Sequence, residues 1–93
     1  MIIETVIIQF TDAEKLQQLI SNEGGLQTNY HKKLAKEGKL EICISKENLQ
    51  HGGIQIGYHF RGQNHFIDYF FCEEKDVNEI VEHYKELIKV IYN

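Results

Sequence analysis

His59 and Asp68 have the most to offer chemically. They fall in two runs that read as the arms of one β-hairpin. A carboxylate beside an imidazole is the pairing that orients a general base. A nucleophile within reach would complete a catalytic set, and Cys43, about two rows away on the neighbouring run, is the nearest candidate. The same juxtaposition also arises as a plain cross-strand contact. Five histidines, His31, His51, His59, His65 and His83, raise the question of a metal. No pair has the spacing of a zinc site, and there is no Cys-x-x-Cys or His-x-x-x-His. They read as structural or solvated side chains, and no metal or cofactor is expected. His51-Gly52-Gly53 could offer backbone N–H groups to an anion, but it also reads as a turn. Walker, Gly-x-Gly-x-x-Gly and Gly-x-Ser-x-Gly motifs are missing.

The second feature is aromatic. Of ten aromatic residues, six lie between Tyr58 and Phe71. The third is charge. The net charge is −4, yet the 24–46 block is +3 and carries Lys32, Lys33, Lys36, Lys39 and Lys46. That block reads as a solvated helix face or as an anion-binding patch made by Lys32, Lys33, Lys36 and Lys39. The acidic balance, with Arg61 the only arginine, argues against a generic nucleic-acid binder.

Ninety-three residues predict a single α+β domain over 1–93. Residues 2–10 read as a strand with two largely apolar faces, hence one that is interior or covered on both sides. Thr11 with Glu14 makes a capping box for a helix to about Asn22, ended by Gly24-Gly25. A short basic helix is expected over 28–37, stopped at Gly38. Lys39–Ser45 alternates as a strand, and a loop follows over Lys46–Gly53. The hairpin arms are Ile54–Phe60 and His65–Cys72. Asp76 is expected to cap a final helix whose apolar face runs Val77, Ile80, Val81, Tyr84, Leu87, Ile88 and Ile91. The order β-α-(α)-β-β-β-α predicts a two-layer domain: a mostly antiparallel sheet of about four strands with helices on one face. In topology alone this resembles double-stranded RNA-binding domains. Here, however, the lysines precede the sheet, and Glu79, Glu82 and Glu86 on the closing helix would repel phosphate, so the match is set aside.

A Gly62-Gln63 turn of type II′ predicts the pairs Phe60–His65, His59–Phe66, Tyr58–Ile67, Gly57–Asp68 and Ile56–Tyr69. Strand alternation then sorts the aromatics. Tyr58, Phe60, Ile67, Tyr69 and Phe71 join the core beneath the helices. Gln55, Gly57, His59, Phe66, Asp68 and Phe70 share the opposite face, with a notch at Gly57. If Ile44 lies opposite Ile54, Glu41 falls opposite Gly57. Exposed Phe66 and Phe70 would mark a partner site.

The expected function is therefore a small non-enzymatic protein-binding module: an inhibitor, an immunity-type protein or a phage-encoded antagonist of a host system. Its partner-binding residues would be Phe66, Phe70, His59, Asp68, Glu41 and Gln55, meeting another protein or a second copy in a homodimer. One alternative is a small-molecule binder or compact enzyme using the Gly57 notch with His59 and Asp68. Another is anion or nucleic-acid contact through the lysine block. Cys43 and Cys72 are expected as free, buried or half-buried thiols. Neither a basic leader nor a run of about 20 apolar residues is seen, so no membrane contact and a cytoplasmic location are expected, in the host if virally encoded.

Overall fold

A computed structural model of the chain describes residues 1–8, 14, 17–18 and 29–92. The elements are β1 (Ile2–Ile8), α1 (Asn29–Lys36), β2 (Leu40–Asn48), β3 (Ile54–Phe60), β4 (Asp68–Cys72) and α2 (Val77–Tyr92), the last entered through a 3₁₀ turn at Glu74–Asp76. Glu14, Gln17 and Gln18 are helical and exposed. The expectations for Thr11, for the apolar face at Leu16, Leu19 and Ile20, and for Gly24-Gly25 lie outside the described residues. The fold is α+β, with a four-stranded antiparallel sheet in the order β1-β2-β3-β4.

The core lies between one sheet face and the helices. Leu40, Ile42 and Ile44 from β2 and Ile54, Ile56, Tyr58 and Phe60 from β3 form its floor. Val77, Val81, Tyr84, Ile88 and Tyr92 of α2 pack onto it. These α2 positions recur at helical spacing, which is why one stripe of the helix can be buried whole. Tyr84 stands edge-on to Tyr58 at 5.3 Å between ring centroids, and Tyr92 to Phe60 at 6.2 Å. Ile91, expected on this stripe, is exposed near the end of the helix.

α1 covers the Phe60 end of the floor. His31 and Ala35 are its buried residues, and His31 Nε2–H donates to the Arg61 carbonyl at 2.7 Å. The helix closes on Gly38, whose φ of +70° suits glycine. There Gly38 N–H reaches Ala35 O and Lys39 N–H reaches Leu34 O, the pair of bonds that ends a helix on a left-handed residue.

Three expectations about the elements are corrected. β1 is an edge strand with Ile2 and Ile7 exposed, neither interior nor covered on both sides. β2 runs on to Asn48, so the β2–β3 loop is shorter than Lys46–Gly53. Asp76 does not start α2 as its cap. Its carboxylate instead accepts from Glu73 N–H one turn earlier, at 3.4 Å, and the helix is entered through the 3₁₀ turn.

Candidate functional site

The β3–β4 hairpin decides the site, and its register differs from the expected one. The turn is Phe60–Gln63, closed by Gln63 N–H to Phe60 O at 3.0 Å, with Gly62 third at φ +90°. That is a type II arrangement, one residue earlier than expected. Seven residues then separate the strands. Ile67 N–H donates to Tyr58 O at 2.8 Å, while Asp68 is the ladder partner of Tyr58. Two residues of one strand thus oppose one of the other, in the manner of a β-bulge.

The extra residue inverts everything after it. Gly57 pairs with Tyr69, Ile56 with Phe70, Gln55 with Phe71 and Ile54 with Cys72. Tyr69 and Phe71, expected in the core, lie on the face away from the helices and are 48% and 67% exposed. Asp68 and Phe70, expected on that face, lie on the helix side. Phe70 is 45% exposed and packs against Tyr84 at 5.7 Å and His83 at 6.1 Å. Tyr84 donates its hydroxyl to Asp68 at 3.2 Å. Burial, followed by the Asp68 charge and this bond, pushes the Tyr84 hydroxyl well above the usual tyrosine range.

Phe66 precedes the bulge and stays where it was expected, edge-on to His59 at 5.9 Å. Its ring lies over Gly57, where an added Cβ would come within 2.8 Å of it and also meet the Asp68 carbonyl oxygen. The expected notch is therefore filled by Phe66. Phe66, Tyr69 and Phe71 continue from His59 as a row of rings across one face.

His59 and Asp68 are not brought together. The β2–β3 register puts Cys43 opposite His59 and Ser45 opposite Gly57, four residues from the assumed pairing but with the same faces. His59 Nδ1 lies 3.0 Å from Phe60 O, which can only accept. In the neutral ring Nε2 is then left to accept from Ser45 Oγ at 2.8 Å. This is a hydroxyl beside a base, but Ser45 is only 7% exposed, and neither cavity described below reaches it. The pair ties two central strands. Cys43 is fully buried and Cys72 half-buried, both free thiols.

Glu41 lies at the far end of β2 and holds Arg61 at 2.6 Å. Gln55 is half-buried opposite Phe71. Lys33, Lys36 and Lys39 are exposed and Lys32 half-buried. A cavity of about 430 Å³ opens between α1 and the β2–β3 end, lined by Tyr30, His31, Leu34, Lys39, Leu40, Glu41 and Arg61. Its two cations already face carboxylates, Arg61 to Glu41 and Lys39 to Glu37 at 3.9 Å.

A second cavity of about 430 Å³ runs along β4, between that strand and the first turns of α2. Phe70, Cys72 and Ile80 form its apolar side, and Phe71 borders it. His83, Asp76 and Glu79 supply polar groups. Carboxylates gather at the Cys72 end. Burial, with the charges of Asp76, Glu74 and Glu73, raises the Cys72 thiol above its usual range. Glu74 is paired to Lys46 and Glu73 to Lys75. Asp76 and Glu79 have no cation partner among the described residues.

No family model matches the chain, and neither a curated protein nor a solved structure matches it. The site must be read from its geometry. Sequence reasoning missed the β4 edge and its groove. The signal was present in Tyr69-Phe70-Phe71, three consecutive aromatics that a strand must divide between two faces.

Proposed function

We propose that this chain is a protein-binding module that accepts an extended segment of its partner as a fifth strand along β4. One observation carries the reading: β4 is an edge strand with exposed aromatics on both faces. An edge strand offers a row of backbone N–H and C=O groups to another chain. Such edges are ordinarily blunted by proline, charge or a cover. β4 carries a single charge, Asp68, at its start, and the sequence has no proline. The added strand would lay alternate side chains on the two faces. One set would meet Tyr69 and Phe71, and the other would enter the groove beside α2. β1, the other edge, lines neither cavity.

Selection of short peptides from a displayed random library tests this. Bound peptides are expected to slow amide exchange across 68–72 more than in β1 or α1. Phe71→Ser is expected to remove binding and leave the melting temperature unchanged. Peptides that protect the lysine-bearing α1, or that leave β4 unprotected, overturn the reading.

A further inference from the structure

The groove beside β4 also carries information about the partner. We propose that it takes an extended segment of another protein in which an apolar side chain has a lysine or arginine two positions away on the same face. This rests on the strand-acceptor reading above. Phe70, Cys72 and Ile80 line the apolar part of the groove, and Asp76 and Glu79 line its polar part. These two carboxylates have no cation partner among the described residues, whereas the neighbouring Glu73 and Glu74 do. Residues two apart on a strand point to one face about 6–7 Å apart. A side chain seated beside Phe70 therefore brings its same-face neighbour at the Cys72 end toward Asp76 and Glu79. The residue between them would lie on the opposite face, against Tyr69 and Phe71.

A second copy fits this site poorly. Two-fold pairing of β4 centred on Phe70 sets Cys72 opposite the copy's Asp68. The Asp68 side chain lies on the helix face, bound to Tyr84. That pairing brings a third carboxylate to Asp76 and Glu79 at both ends of the seam. Residues 73–93 of each copy also carry a net charge of −3. Like charges brought together oppose association, and a basic segment meets the same groove with complementary charge.

Three synthetic β-forming peptides test the inference. Each has a phenylalanine flanked, two residues away on each side, by lysine, glutamine or glutamate. The lysine peptide is expected to bind tightest and to protect the amides of 68–72. Asp76→Asn with Glu79→Gln is expected to weaken it about five- to tenfold and leave the glutamine peptide unchanged. Equal protection by all three peptides, untouched by the double substitution, overturns the basic preference and leaves strand addition standing. A dimer by light scattering, with 68–72 protected in the free protein, overturns the choice of another protein over a second copy. Failure of every peptide to protect 68–72 removes strand addition and this inference together.

Discussion

At the scale of the residue, Gly57 and Phe66 form one unit. Gly57 has no Cβ, so the Phe66 ring can lie against its backbone, and the hairpin can close over it. Gly57→Ala is expected to destabilise by about 1–3 kcal/mol in urea denaturation, because one of the atoms it meets is backbone and cannot swing aside. Adding Phe66→Ala should restore only part of that loss, since the Asp68 carbonyl remains. Phe71 differs. At 67% exposure it contributes little to folding, so Phe71→Ser should change stability by less than about 0.5 kcal/mol. A larger loss would mean that the ring is core and not a docking surface.

At the scale of the element, β4 is set by the step at Ile67 and Asp68. A bulge re-aims every side chain downstream of it, which here turns Phe70 toward α2 and Tyr69 and Phe71 outward. α2 is held by its buried stripe, so Ile88→Ala is expected to cost about 2–5 kcal/mol by thermal or urea unfolding. α1 depends on its stop. Gly38→Ala forces a Cβ into the left-handed region at φ +70°, and should cost about 1 kcal/mol. No loss at Gly38 would show that the end of α1 relaxes freely.

At the scale of the whole molecule, three buried tyrosines link the sheet to α2. Tyr58 meets the ring of Tyr84, which donates to Asp68, and Tyr92 packs edge-on against the neighbouring Phe60. Burial is the largest cause raising all three hydroxyls above the usual value of 10.0. A tyrosine held protonated in the fold but free to ionise when unfolded contributes stability that is complete below pH 10. It is lost as pH rises from there toward the folded value. Chemical denaturation across this range should therefore show stability falling by about 1.4 kcal/mol per pH unit for each such tyrosine. Tyr84→Phe should reduce that slope. A flat profile above pH 10 would show that the hydroxyls ionise without opening the fold. Among the described residues, no helix is long and apolar enough to cross a membrane.

Local pattern was enough for the α+β class, the order of the described elements, the α2 stripe and the place of Phe66 beside His59. Each depends on periodicity or on neighbours close in the chain, and periodicity is written directly in the residues. The faces of β4 were not legible. A strand repeats every two residues, so one extra residue in the path from Gly62 to Asp68 exchanges its faces. Whether the chain takes that residue depends on how Phe66 settles over Gly57 and where Asp68 meets Tyr84, contacts between distant segments. For the same reason the sequence marked the aromatic cluster but not the open edge. An edge exists only once the other strands have taken their places, and the groove beside it only once α2 has packed beneath the sheet.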